Sequence, residues 1–213
     1  MSKKDYKKPD YYADRAKKDG YAARSVYKLR EIDEKEGLLR AGNRVLDLGA
    51  SPGSWIQYIS GKVGKKGLVV GVDIKPLSMS LPDNTRFVEA DVHEIDPATL
   101  RQFAPCFDRV VSDMLPNTIG HKDSDHLRCI ALAESALVLA DRVLRPGGHF
   151  LIKILQGSEF EQFRDMMRER YAKVKIKKPK SSRKISREIY LLGLGKKPEK
   201  EKDEDGREQE DEY

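Results

Sequence analysis

The residues most able to do chemistry lie in Val45-Leu46-Asp47-Leu48-Gly49-Ala50-Ser51-Pro52-Gly53-Ser54-Trp55. An apolar run reaches an acid and then breaks into a glycine-bracketed loop that opens a helix. A parallel α/β sheet builds a nucleotide-like pocket in this way, at the carboxyl end of its first strand. The spacing is Gly-x-x-x-Gly, not the Gly-x-Gly-x-x-Gly of a pyrophosphate-binding turn. It therefore points away from a dinucleotide and towards S-adenosylmethionine, which has no phosphate to cradle. Glycine lets the backbone approach such a ligand without an intervening Cβ, which makes Gly53 a candidate contact. Trp55, the only tryptophan, sits in the first turn beyond the loop, where it can either shield a ligand or pack the helix onto the sheet.

Three further acids share that crevice. Asp73 ends Val69-Val70-Gly71-Val72-Asp73, where a carboxylate can accept hydrogen bonds from both ribose hydroxyls of an adenosine. Asp91 ends Phe87-Val88-Glu89-Ala90-Asp91, in reach of an adenine amino group. Asp113 ends the next apolar run and opens Ser112-Asp113-Met114-Leu115-Pro116-Asn117. An acid at one strand end often does no more than cap a helix. Acids at the ends of four successive strands, Asp47 included, are harder to explain that way.

Lys153 interrupts the apolar run Phe150-Leu151-Ile152-Lys153-Ile154-Leu155. An ammonium inside a strand is costly to bury without a partner. It either snorkels to solvent near the strand end or stands beside Asp113 on a neighbouring strand. Lys28 and Glu188, in Ser25-Val26-Tyr27-Lys28-Leu29 and Ser186-Arg187-Glu188-Ile189-Tyr190, draw no attention on their own.

The elements that must position these groups follow from periodicity. Strand-like runs fall at 44–48, 68–73, 86–90, 108–113, 149–155, 172–177 and 188–194. Helical windows lie at 22–36, 55–60, 97–103, 124–144 and 159–170. Alternation of the two predicts βαβ units and a mostly parallel sheet. The last two strands are joined only by a short Lys/Pro/Ser-rich loop and so form an antiparallel pair. The expected architecture is a Rossmann-like α/β fold: seven strands, mostly parallel, the final strand antiparallel, helices on both faces. Residues 1–21 read as a loose basic segment, 22–195 as the folded domain, and 196–213 as a charged, disordered tail.

At 213 residues, 36% of them charged, the chain has no apolar run approaching the roughly 20 residues of a membrane span. Cys106 and Cys129 form no Cys-x-x-Cys pair, and no His/Cys/carboxylate cluster points to a metal. A reducing cytoplasm fits this usage. Of the net charge of +6, residues 1–195 carry +10, because the tail from Lys196 holds five basic and nine acidic residues. Residues 173–187 carry eight Lys or Arg and no acid; residues 3–30 carry ten against four Asp. Two basic blocks flanking a cofactor motif predict a polyanionic partner. Tyr11, Tyr12 or Tyr27 could stack on an unpaired base.

Taken together, the motifs resemble the FtsJ/RlmE family of S-adenosylmethionine-dependent RNA ribose 2′-O-methyltransferases, and above all its bacterial large-subunit ribosomal RNA members. The likeness runs from about Asp10 to Gly195. It includes Asp10-Tyr11-Tyr12, Arg24-Ser25 with Lys28-Leu29, the loop through Trp55, Ser112 to Asn117, Lys153 with Gln156-Gly157, and Lys178 to Tyr190. The loop reads Ala-Ser-Pro-Gly-Ser-Trp, where bacterial members often have Ala-Ala-Pro-Gly-Gly-Trp; small residues replace small ones.

The resemblance implies a catalytic tetrad at Lys28, Asp113, Lys153 and Glu188, and cofactor contacts at Gly53, Trp55, Asp73, Asp91 and Asp113. It implies a monomer that methylates a uridine ribose of ribosomal RNA within the large subunit, with Lys153 as general base and no metal. Methyl transfer to a hydroxyl requires near-attack geometry and removal of one proton. Lys28 would lower the Lys153 pKa, while Asp113 and Glu188 would raise it and fix its orientation. The competing readings are a tRNA ribose methyltransferase of the same family and an RNA-binding ribosome assembly factor with incidental activity. A small-molecule methyltransferase leaves the basic blocks unexplained.

Overall fold

The computed structural model describes residues 10–116, 120–183 and 185–198. The charged tail from 199, residues 1–9 and Asn117 lie outside the described residues. Two helices come first, α1 (Tyr11–Lys18) and α2 (Val26–Glu36), followed by β1 (Arg44–Leu48), α3 (Ser54–Val63), β2 (Leu68–Asp73) and β3 (Thr85–Glu89). Then come α4 (Pro97–Arg101), β4 (Phe107–Ser112), α5 (Lys122–Val143), β5 (Leu144–Leu155), α6 (Phe160–Arg170), β6 (Tyr171–Lys177) and β7 (Glu188–Lys196).

The seven strands form one sheet in the order β3-β2-β1-β4-β5-β7-β6. The first five are parallel, and β7 runs antiparallel to both β5 and β6. Because β6 and β7 are joined by a loop rather than a crossover helix, β7 inserts between β5 and the edge. Strand order reverses at β1 and β4, which opens a crevice beyond their carboxyl ends.

Period-two alternation divides the core between the two faces. Leu46 and Leu48 of β1 join the cluster under α4, α5 and α6, with Leu100, Leu137, Phe163 and Met167. Val45 joins the cluster on the other face with Leu29 and Ile32 of α2 and Trp55, Ile56 and Ile59 of α3. Gly37 ends α2 in the left-handed conformation at φ 62°, its N–H bonded to the Asp33 carbonyl.

Two elements differ from expectation. Within the segment expected to lie loose, residues 11–18 are helical: the Asp10 side chain caps α1 by accepting from the Ala13 N–H, and Ala16 is buried. The segment is nearly all polar, so one small buried residue and a cap carry the element, and neither leaves a strong periodic signal. The other difference is β5, which begins at Leu144 rather than after the glycines. Its register on β4 shifts between Phe107 and Arg109, so the turn glycines sit within an irregular strand.

Candidate active site

Two cavities lie at the end of the sheet where β1 to β5 finish and β7 begins, and most of the predicted residues divide between them. The larger, of about 720 Å³, lies over β1, β2, β3 and β4, with Gly49, Asp73, Asp91, Asp113 and Met114 on its walls. Asp73 is fixed by the loop it faces: Oδ2 accepts from the Ser51 N–H at 2.9 Å and Oδ1 from the Lys75 N–H at 2.9 Å. Asp91 Oδ1 accepts from the His93 N–H at 2.9 Å. Gly49, at φ 80°, passes so close beneath Met114 that a Cβ would stand 2.4 Å from the Met114 Cγ. Here the glycine is required twice, by its dihedral and by its neighbour.

Asp47 lies within β1, wholly buried, and neither carboxylate oxygen has a partner among the described residues. Burial first, then the neighbouring carboxylates of Asp113 and Asp73, hold its carboxyl well above the ordinary value.

These walls suit S-adenosylmethionine. Carboxylates at the ends of β2 and β3 can receive hydroxyl and amino hydrogens. Asp113 and the cluster of acids around it favour a ligand that carries positive charge on sulfur and nitrogen. The Gly49 approach leaves room where a side chain would fill the cleft.

Gly53 and Trp55 stand elsewhere. Gly53, at φ 112°, receives Met79, whose Sδ would lie 2.5 Å from an added Cβ. The Trp55 ring is 3% exposed, donates from Nε1 to the Ser25 carbonyl at 3.0 Å and stacks on Tyr190 with centroids 6.2 Å apart. Its side chain turns away from the cleft, because α2 covers that face and provides both an acceptor and an apolar bed. Any contact of Trp55 with a ligand in the cleft is left to its main chain.

The predicted tetrad does come together, as two ion pairs. Lys153 Nζ stands 3.0 Å from Asp113 Oδ1 and also donates to the Asp113 carbonyl. Lys28 Nζ donates to Glu188 Oε2 at 2.8 Å. Adjacent strands β4 and β5 bring the first pair together, while α2, laid across the sheet, delivers Lys28 to the start of β7. Burial would raise the Glu188 carboxyl, but the ammoniums of Lys28 and Lys153 and the bonds from Lys28 and Ser186 hold it below the usual carboxylate value.

The sequence reading missed Tyr190. Its hydroxyl donates to Asp113 Oδ1 at 2.6 Å. Burial, and then Asp113, push that hydroxyl far above the usual phenol value, so it remains a donor. A signal was present: Glu188 and Tyr190 are two apart on one strand and share a face.

The smaller cavity, of about 390 Å³, opens on the Lys28–Glu188 pair and is rimmed by Arg24, Ser25, Arg183, Ile185 and Ser186. Arg24 ties the rim together. It donates to Asp10 and, through NH2, to the Ser181 carbonyl at 2.6 Å, and its guanidinium lies 5.6 Å from the centre of the Tyr12 ring. Asp10 also pairs with Arg183 at 3.4 Å. Burial would raise Asp10; the Arg24 bond and charge outweigh it, so its carboxyl is held low and ionised. Tyr12 and Tyr27 pack on each other with centroids 5.5 Å apart, and Tyr11 remains mostly exposed. Asp113 thus faces the large cleft and Lys28 with Glu188 the small one, with Lys153 between them.

Residues 21–196 match the family model described as FtsJ-like methyltransferase. Ribosomal RNA large subunit methyltransferase E of Desulfatibacillum aliphaticivorans is 47% identical over 188 residues, covering 88% of this chain and 91% of that protein. The protein of the same name from Bdellovibrio bacteriovorus is 46% identical over 195 residues, covering 90% and 99%. Among solved structures, one described as a ribosomal RNA methyltransferase from Plasmodium falciparum superposes with a TM-score of 0.73 at 27% identity, over 83% of this chain and 98% of that one. Aeropyrum pernix fibrillarin, solved with natively bound S-adenosyl-L-methionine, superposes with a TM-score of 0.56 over 80% and 76% of the two chains. At 18% identity that likeness speaks for the fold alone.

Proposed function

The chain belongs to the FtsJ-like methyltransferase family, and from that premise we propose that it transfers a methyl group from S-adenosylmethionine to a ribose 2′-hydroxyl of large-subunit ribosomal RNA. It is an S-adenosylmethionine-dependent methyltransferase with a Rossmann-like sheet. The large-subunit substrate follows the names of its relatives, at 46–47% identity over nearly their full lengths. The observation that carries the reaction is the pairing of Lys153 with Asp113 and of Lys28 with Glu188, Asp113 on the wall of the larger cavity and Lys28 and Glu188 on that of the smaller.

The methyl donor occupies the larger cleft, with Asp73, Asp91 and Asp113 holding it. When bound there it supplies an electrophilic methyl group on a sulfonium. The acceptor ribose enters the smaller cavity from the Arg24–Arg183 rim. Lys28, fixed by Glu188, holds the ribose oxygens. Lys153 meets the 2′-hydroxyl and, as the amine, accepts its proton when the oxygen attacks. Asp113, aligned by the Tyr190 hydroxyl, keeps the Lys153 nitrogen on that oxygen. Near-attack alignment of hydroxyl and methyl supplies most of the remaining acceleration. Affinity for the RNA comes from the basic segments at either end of the domain and falls with salt.

The finer reading belongs to the same proposal: a monomer acts in the cytoplasm on a uridine, within the large subunit. No helix among the described residues is long and apolar enough to cross a membrane. The test is transfer of labelled methyl to undermethylated large subunits, their extracted RNA and bulk tRNA. Label should enter the large-subunit RNA and survive alkali as a dinucleotide, because a methylated 2′-oxygen cannot cleave its own phosphodiester. Label confined to tRNA, or to an alkali-labile position, would overturn the proposal.

A further inference from the structure

Apart from one residue, the smaller cavity is lined by polar and charged residue types: Arg24, Ser25, Lys28, Arg183, Ser186 and Glu188. Its one apolar lining residue is Ile185, which is 81% exposed. No other large apolar side chain among the described residues is as exposed. Single apolar residues scattered over a surface need no explanation. This one stands at the tip of the basic loop between β6 and β7, and that loop is anchored on both sides of it. On one side Arg24 binds the Ser181 carbonyl, Glu31 accepts the Lys180 N–H at 2.7 Å, and Asp10 pairs with Arg183. On the other, Arg187 donates to the Gln156 carbonyl, and the Ser186 hydroxyl accepts the Glu188 N–H at 3.1 Å. An apolar tip on a tethered loop cannot fold back onto a core of its own.

The depth of the catalytic amine sets a second condition. Lys153 is 6% exposed and does not itself line the smaller cavity, where Lys28 and Glu188 do. A cavity of about 390 Å³ is at the small end of ligand pockets. It holds one nucleotide, not a stretch of paired RNA. The acceptor must therefore leave its stack before its hydroxyl reaches the amine, as for enzymes that extrude their target nucleotide. Unstacking exposes an apolar base face, which proteins commonly cover with an inserted apolar side chain.

We infer that Ile185 is that side chain: it enters the RNA at the place vacated by the acceptor nucleotide, while Arg183 and Arg24 hold the flanking phosphates. The inference rests on the reading of the chain as an RNA methyltransferase. It deepens that reading by specifying a target nucleotide taken out of its stack.

The test uses the full chain, with hairpins copied from the large-subunit ribosomal RNA, and compares Ile185→Ser with Ile185→Leu. The site is exposed, so neither change disturbs the core. On the unmethylated hairpin with its acceptor nucleotide paired, Ile185→Ser should lower kcat/KM by about tenfold. With the same nucleotide left unpaired, the loss should shrink to about threefold, because less unstacking remains to be offset. Ile185→Leu, which keeps the apolar bulk, should lose no more than about threefold on either hairpin. A 2-aminopurine next to the acceptor should brighten on binding wild type and much less on binding Ile185→Ser.

Equal losses on paired and unpaired hairpins, or equal brightening with both proteins, would overturn the inference. Affinity is read separately: Ile185→Ser should bind the hairpins severalfold more weakly, whether or not methyl is transferred. Weaker binding with no methylation by the wild type would strike down the proposed reaction and leave the wedge standing. Unchanged affinity beside normal methylation would do the reverse.

Discussion

Lys153 Nζ and Asp113 Oδ1 stand 3.0 Å apart on neighbouring strands, and Tyr190 donates to that same carboxylate oxygen at 2.6 Å. One oxygen thus receives both the Lys153 side chain and a phenol that burial keeps protonated. The carboxylate cannot turn away from Lys153 without losing the Tyr190 bond, which favours one orientation of the amine. Asp113 also lines the larger cleft, so in the proposed reaction a single residue ties the position of the donor to that of the amine.

Lys153→Arg separates a base from an orienting cation. Arginine keeps the charge but does not give up its proton in a protein. If Lys153 takes the 2′-hydroxyl proton, Lys153→Arg and Lys153→Ala should both lose about a hundredfold to ten-thousandfold in kcat. Binding of S-adenosylmethionine, followed by calorimetry, should hold. Retention of most activity by Lys153→Arg would leave only the orienting role.

The Lys28–Glu188 pair makes a prediction in acid. Folding depresses the Glu188 pKa, so its contribution is present above the unfolded value of about 4.3 and is lost as pH falls through the folded value. Lys28→Met removes the main opposing cation and leaves a largely buried carboxylate unpaired. The variant should be less stable at pH 7 by on the order of 2 kcal/mol. The deficit should narrow as pH falls from 7 through the folded Glu188 value, below which the carboxyl is protonated in either protein. Melting curves across that range would show it; a deficit independent of pH would remove the pair as its cause.

Much of this was legible beforehand, and the gaps have physical causes. Strand runs ending in Asp73 and Asp113 announced themselves because a parallel sheet buried on both faces reads as continuous apolar sequence. A lysine inside such a run, Lys153, demanded a partner. Lys28 and Glu188 look like ordinary surface charges; only α2, crossing the sheet to the start of β7, brings them together. That is a tertiary fact with no local signature. The direction of the Trp55 ring was hidden for the opposite reason: adjacency to Gly53 fixes its backbone near the loop, whereas helix phase sends its ring to Tyr190. Asp10, Arg24 and Arg183 lie far apart in the chain, so their cluster depends on α1, whose single buried alanine hardly marks it as a helix.

Gly49→Ala should injure the donor cleft specifically. At φ 80° alanine pays about 1 kcal/mol in backbone strain, and its Cβ would meet the Met114 Cγ at 2.4 Å. Met114 lines the cleft, so the relief of that clash moves a wall of the site. Affinity for S-adenosylmethionine should fall about tenfold, alongside a lower melting temperature. Normal affinity in a protein that melts early would show that Met114 yields without narrowing the cleft.

Asp47→Asn should stabilise the protein, and increasingly so as pH rises. Its carboxyl is fully buried, has no partner among the described residues, and is held well above the ordinary range by burial and then by Asp113 and Asp73. A carboxyl raised by folding favours the fold while protonated. That contribution is complete below the unfolded value of about 3.9 and is lost as pH climbs towards the folded one. In that window the wild type loses up to about 1.4 kcal/mol per pH unit, because unfolding releases a proton. Asparagine has nearly the same shape and no proton to release. The two proteins should therefore melt at similar temperatures near pH 4 and diverge in favour of Asp47→Asn by pH 8. Parallel curves would mean that the wild-type carboxylate finds a compensating partner. A gap opening the other way would mean that its negative charge supports the fold.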